Sequence, residues 1–185
     1  MLIKIMTFDK APEKRRENAE KLAFLLKAQV YVGGTDTLDN FIGICKSVGE
    51  DDLLYLEDDI EICSNFLTRI KKAIDAFPDK MISFFSCDLK DCKVREVPYT
   101  WHKFSQCLYI PNKVVKQLLK VAPQFREKKF RDNDWERIFC ELKGTYIRYF
   151  PHLVQQHEWE STIFDIIDPR SPFYVGENNE YYNTL

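Results

Sequence analysis

Residues 53–59 read Leu-Leu-Tyr-Leu-Glu-Asp-Asp, an apolar run of strand character that stops at three adjacent carboxylates, with Ile60-Glu61-Ile62 behind it. A strand that delivers carboxylates to its carboxyl end, followed by a helix expected from Ser64, sets negative charge at the rim of an open α/β sheet, where such folds bind ligands. Three carboxylates held side by side repel one another unless a cation lies between them. A hard, oxygen-liganded ion, Mg²⁺ or Mn²⁺, suits that position, and such ions are commonly shared with the phosphates of a nucleotide. An isolated Asp-Asp pair reads equally as a solvated acidic turn. The flanking pattern therefore decides.

Upstream, Leu2–Phe8 reads as a strand, and Asp9-Lys10-Ala11-Pro12 as a loop whose proline suits a first helical turn. Ala19, Leu22, Ala23, Leu25 and Leu26 recur at helical spacing between Glu13 and Lys27, and Gln29–Val32 is a second strand closed by Gly33-Gly34. Downstream, the pattern predicts a helix over 37–48, the strand Leu53–Leu56, a helix over 64–77 with Ser64 as N-cap and Pro78 as its stop, and a buried strand over 81–85. Strands alternating with helices at this spacing favour a mostly parallel sheet flanked by helices on both faces. Beyond Ser86 the reading is a polar loop over 88–98, a strand over 104–110, a helix over 112–121, a helix over 135–142 ended by Gly144, and a late strand over 145–150.

The 185 residues, 45% hydrophobic and 14% aromatic, suit one compact domain. It reads as a nucleotide-binding half over 1–85, a second half over 86–164 expected to face a second substrate, and a C-terminal tail over 165–185. No apolar run reaches the roughly 20 residues of a membrane span, and Met-Leu-Ile-Lys-Ile reads as a strand rather than a signal peptide, so the cytoplasm is the expected location. The six cysteines form no CxxC pair and read as small buried hydrophobes. Net charge is −2, but residues 50–79 hold nine acidic and three basic side chains while residues 111–150 hold ten basic and five acidic. A metal in one place and a phosphate or polyanion in another would match that division, as would solvated helix faces.

Three segments carry a resemblance. Tyr55-Leu56-Glu57-Asp58-Asp59 looks like a "DXD" motif in Glu-Asp-Asp form. Gln106-Cys107-Leu108-Tyr109-Ile110-Pro111, with its following helix ending in Leu118-Leu119, looks like the strand-to-helix passage beyond a metal site. Phe150-Pro151-His152-Leu153-Val154-Gln155-Gln156-His157, with Ser161, is similar to a "P-x-L-V-Q-H" segment but has one more glutamine. In this order and spacing the chain resembles nucleotide-sugar glycosyltransferases of the GT-A fold. The nearest in kind are small bacterial or phage enzymes of lipooligosaccharide type and N-acetylglucosaminyltransferases with a glutamine-histidine element.

The resemblance implies a GT-A-like, Rossmann-like domain that moves a sugar from a nucleoside-diphosphate donor, expected to be UDP-linked, to a hydroxyl acceptor with Mn²⁺ or Mg²⁺ as cofactor. Asp59 would coordinate the metal, Asp58 the donor ribose or the metal shell, and Glu57 would belong to the strand end or the donor site. His157 would complete the shell, which suits Mn²⁺ because imidazole is a softer ligand. Thr7 and Arg15 look like nucleotide contacts, with Asp36 and Asn40 as further base or ribose contacts. An inverting reaction needs a carboxylate to take the acceptor's proton; Asp134, or Asp132, at a helix entrance is the candidate, and either also suits a helix N-cap. Trp101-His102 would line the acceptor pocket.

The resemblance leaves the acceptor open among a saccharide, a lipid-linked glycan and a modified DNA base. Lys113, Lys116, Lys120, Arg126, Lys128, Lys129 and Arg131 could follow a phosphate backbone. Two other functions compete. A sugar-phosphate nucleotidyltransferase would keep the fold, but the loop 9–12 lacks the glycines such enzymes use. A non-catalytic nucleotide- or nucleotide-sugar-binding module would keep the pocket without the chemistry. The aromatic tail, with Phe173, Tyr174, Tyr181 and Tyr182 among Pro169, Pro172 and Gly176, reads either as a lid over the donor or as a segment packed on the sheet.

Overall fold

The computed structural model describes residues 1–87, 92–102, 105–127, 135–157 and 174–176. In chain order these form β1 (Leu2–Phe8), α1 (Glu13–Leu26), β2 (Gln29–Gly33), α2 (Thr37–Ser47), β3 (Leu53–Glu57), β4 (Ile60–Ile62), α3 (Phe66–Ala76), β5 (Ile82–Ser83), β6 (Arg95–Pro98), β7 (Cys107–Ile110), α4 (Asn112–Glu127), β8 (Thr145–Arg148) and β9 (Val154–Gln156). Two 3₁₀ segments, Tyr99–Trp101 and Trp135–Glu141, complete the described elements.

Seven strands make one sheet in the order β2-β1-β3-β7-β5-β8-β6, and β4 pairs with β9 in a separate ribbon. β1 runs parallel to both β2 and β3, and β5 parallel to β8, whereas β7 is antiparallel to β3 and β5, and β6 to β8. The architecture is α/β, as expected, and the mostly parallel sheet is mixed: five strands run one way and β6 and β7 the other. The two reversed strands, β6 and β7, are strands of the sheet that no α-helix precedes, and an antiparallel neighbour needs no helical crossover.

The chain leaves β1 for β2 on one side and returns to β3 on the other, pairing Met6 with Tyr31 and with Glu57. That reversal makes the carboxyl ends of β1 and β3 a topological switch point, where open α/β sheets hold ligands. Thr7 stands at one lip and Glu57-Asp58-Asp59 at the other.

Alternation along β3 builds the two cores. Leu53 and Tyr55 join Leu108 and Ile110 of β7, Phe41 and Ile44 of α2, Val115 and Leu118 of α4, and Ile138 and Phe139 on one face. Leu54 and Leu56 join Cys107 and Tyr109, Ala19 and Leu22 of α1, and Phe66 and Ile70 of α3 on the other. Helices therefore cover both faces. The period of two, read off an apolar run, places each side chain.

Several boundaries differ from the sequence reading for physical reasons. The third helix starts at Phe66 behind Asn65, which adopts φ 55° in the left-handed region, so Ser64 is not its N-cap. Asparagine tolerates that backbone where most residues do not. α4 runs through Pro123 to Glu127 because Ala122 and Phe125 are buried beyond the expected stop, and their packing offsets a break worth about 3 kcal/mol. Residues 135–141 wind as a 3₁₀ segment rather than an α-helix. The strand expected over 81–85 has its ladder pairs at Ile82 and Ser83, β6 lies in a stretch read as a loop, and β4 and β9 lie in stretches given no strand reading.

All six cysteines are free, and Cys45, Cys63 and Cys107 are buried. Burial pushes the Cys45 thiol up to about 12 and Cys63 to about 11, as expected of inert core thiols. Of the tail, Tyr174–Gly176 is described: Val175 is buried in the α1–α3 core, and its amide donates to the His152 carbonyl at 3.2 Å. The remainder of 165–185 lies outside the described residues. Among the described residues no helix is long and apolar enough to cross a membrane.

Candidate functional site

Asp58 is held from three sides. Thr7 Oγ1 donates to its Oδ2 at 2.5 Å, Arg15 Nε donates to its Oδ1 at 2.8 Å, and Arg15 Nη2 donates to the same Oδ1. Asn18 Nδ2 donates to the Asp58 carbonyl at 2.8 Å and to the Ile60 carbonyl at 2.9 Å. Arg15 and Asn18, three apart, share one face of α1, so that helix grips both the carboxylate and the backbone of the turn after β3. Asp58 is fully buried and Arg15 is 5% exposed. Burial raises the Asp58 carboxyl above its ordinary value against the opposing pull of Arg15. Arg15 is itself raised: burial alone would lower it, but Asp59, Asp58 and Glu57 together outweigh that.

Asp59 is placed differently. Its Oδ2 lies 3.1 Å from Arg15 Nη2 and accepts a 3.2 Å bond from Gln156 Nε2. Its Oδ1 is buried and has no hydrogen-bond partner among the described residues. The Asp59 carbonyl accepts from the His157 amide at 2.7 Å, continuing the β4–β9 ladder in which Ile60 faces Gln156. The ribbon thus ties the end of β3 to residues nearly a hundred positions later. His157, whose side chain is half-buried, is brought beside Asp59 by this backbone bond.

Glu57 lies two residues beyond Tyr55 and so shares its face of β3, toward α2 and the segment Trp135–Glu141. Trp135 packs on Phe41 at 4.3 Å and on Tyr55 at 5.7 Å, which brings Glu136 to this side of the rim. Burial first, then the neighbouring charges of Asp59 and Glu136, holds the Glu57 carboxyl well above its ordinary range. The Glu57 amide donates to the Gln106 carbonyl at 3.0 Å, which sets Gln106 at the same rim. Gln106 Oε1 is buried and also has no partner among the described residues.

The other expected contacts are engaged in shaping the loop after β2. Asp36 caps α2, accepting from the Asp39 amide at 2.8 Å. Asn40 clamps Gly34, accepting from its amide at 3.0 Å and donating to its carbonyl at 2.9 Å. The Asn40 side chain occupies the space a Cβ on Gly33 would need, 2.2 Å away. Asp132 and Asp134 lie outside the described residues, as do Lys128, Lys129 and Arg131. Of the basic stripe on α4, Lys113 pairs with Asp79 at 3.0 Å, Lys116 with Glu50 at 2.6 Å and Arg126 with Asp39. Trp101 is 56% exposed, but His102 turns into the core against Phe139 and Tyr146.

The carboxylate cluster accordingly divides into two roles. Asp58 is spent on α1, whereas Asp59 keeps a buried oxygen with no hydrogen-bond partner among the described residues. Among the described residues no group of three or more His, Cys, Asp or Glu side chains is arranged to hold a metal ion. A bare buried carboxylate oxygen nevertheless fits Mg²⁺ or Mn²⁺ of the kind that takes one or two protein carboxylates and fills its shell with phosphate and water oxygens. The sequence reading missed Asn18, Gln106 and Gln156. The helical spacing from Arg15 is the one signal that could have found Asn18.

No family model matches the chain, and no curated protein matches it. Among solved structures, the crystal structure of A197 from STIV is similar over 84% of this chain and 85% of that one, with a TM-score of 0.45 and 6% sequence identity. A likeness that distant carries no argument about chemistry.

Proposed function

We propose that the protein is a metal-dependent glycosyltransferase that moves a sugar from a nucleoside-diphosphate donor, UDP-linked, to a hydroxyl acceptor. The observation that carries this reading is the bare, buried Asp59 Oδ1 at the switch point between β1 and β3. A buried carboxylate oxygen kept there without a donor is costly by about 1–3 kcal/mol, and a cation shared with a diphosphate would satisfy it.

When bound, Mn²⁺ or Mg²⁺ supplies Lewis-acid stabilisation of charge on the departing diphosphate. The chain's own part is positioning. Asn18, Arg15 and Thr7 lock the turn so that Asp59 holds one orientation, and such preorganisation is what electrostatic catalysis requires. The β4–β9 ribbon keeps Gln156 and His157 at the same place. Glu57 lines the rim on the face of β3 that it shares with Tyr55. Asp134 is the proposed base for the acceptor hydroxyl, with Asp132 as its neighbour. The acceptor is a saccharide, a lipid-linked glycan or a modified DNA base.

One observation favours a second reading, a nucleotide-sugar-binding module without catalysis. Asp58 and Arg15 have a structural task, so their retention does not require a reaction. Incubating the protein with a panel of UDP-sugars and Mn²⁺, and measuring UDP released with and without candidate acceptors, separates the two. Metal-dependent release that Asp59→Asn abolishes supports transfer. Donor binding with no release under any condition supports the module.

A further inference from the structure

Gln156 is 4% exposed, and its amide meets Asp59 directly: Nε2 donates to Oδ2 at 3.2 Å. Its Oε1, like Asp59 Oδ1, is buried with no partner among the described residues. Exchanging oxygen and nitrogen on this amide offers no remedy, because an acceptor would then face a carboxylate oxygen and the NH₂ group would be left bare. Two unsatisfied oxygens on side chains in contact call for a partner that the described side chains do not supply. Arg15 does not fill that role, since it already serves Asp58 and the other oxygen of Asp59. An anion does not fit two bare acceptors. A hard cation does, because carboxylate and amide carbonyl oxygens are the ligand types it takes.

We infer that Gln156 Oε1 and Asp59 Oδ1 form the protein's half of a hard divalent-cation site, with Gln156 rather than the His157 imidazole as the second protein ligand. The inference rests on the metal-dependent reading above and adds to it a neutral oxygen that the sequence motif did not assign. One charged and one neutral oxygen make a weak site for a free ion, so the diphosphate must bring much of the affinity. Metal and nucleotide then bind cooperatively, and a resting enzyme holds little of either.

The probe is Mn²⁺, without and with UDP, its free fraction read by electron paramagnetic resonance, with circular dichroism as the check on folding. Gln156→Glu keeps the side-chain length and adds a charge, so it is expected to tighten Mn²⁺ about tenfold or more and to make the melting temperature depend on the ion. Gln156→Met removes the oxygen and is expected to weaken Mn²⁺ binding with UDP present about tenfold, whereas His157→Ala changes it less than about twofold. If Gln156→Met does not fold, Gln156→Glu decides alone. Equal Mn²⁺ binding by wild type and Gln156→Glu, with binding lost in Asp59→Asn, overturns the role of Gln156 and leaves the metal-dependent reading standing. Unchanged binding in Asp59→Asn overturns both.

Discussion

Changing either aspartate of the pair to asparagine removes one charge from the same turn, yet the two variants should behave oppositely. Asp58 accepts from Thr7 and twice from Arg15, and it is fully buried. Asparagine can keep one acceptor oxygen but would aim its NH₂ at a donor. Hydrogen bonds to charged groups contribute about 1.5–3 kcal/mol each, and breaking one partner of a buried pair costs about 3–5 kcal/mol. Asp59 still offers Arg15 a counter-charge at 3.1 Å, so the lower end applies, about 3 kcal/mol for Asp58→Asn. For a chain of this size that is a fall of about 6–12 °C in melting temperature. Asp59→Asn removes a charge from a group with one unpartnered oxygen and keeps an oxygen that can accept from Gln156 Nε2. Its stability should stay within about 1 kcal/mol of wild type. Urea denaturation without metal or nucleotide measures both, at constant slope. An Asp59→Asn variant as unstable as Asp58→Asn would refute the division of the cluster into an anchor and a binding group.

Burial, with Arg148 adding to it, lowers His102 to about 3. Below its unfolded value near 6.5 the unfolded chain takes up a proton that the native state refuses, so stability falls with pH at about 1.4 kcal/mol per unit down to about pH 3. Between pH 7 and pH 5 wild type should lose about 2 kcal/mol more than His102→Gln in denaturant titrations; equal losses would mean that His102 is not held neutral in the core. Asp134→Asn should cut turnover by about 10²-fold or more with donor binding preserved, and a lowered melting temperature with unchanged turnover would instead mark it as a helix cap.

The first half of the fold was legible because its signals are redundant. Between Leu2 and Glu57, apolar runs alternate with helical periodicity, and the observed bounds of β1, α1, β2, α2 and β3 fall within a residue or so of the reading. The later elements are short and defined by partners distant in sequence. Ile60-Glu61-Ile62 becomes a strand only because Val154–Gln156 lies against it, and β5 consists of two residues between β7 and β8. At the site, the acidic triplet announced itself, but its division of labour did not. Which aspartate is anchored depends on Arg15 and Asn18 reaching across from α1. Which is bare depends on Gln156, nearly a hundred residues away.

The central claim is that Asp59 binds donor through a divalent ion, and calorimetric titration of UDP tests it most directly. With Mn²⁺ in excess the account predicts measurable binding that weakens at least about a hundredfold when EDTA replaces the ion, a difference of about 2.7 kcal/mol. Equal affinity in Mn²⁺ and in EDTA would contradict it.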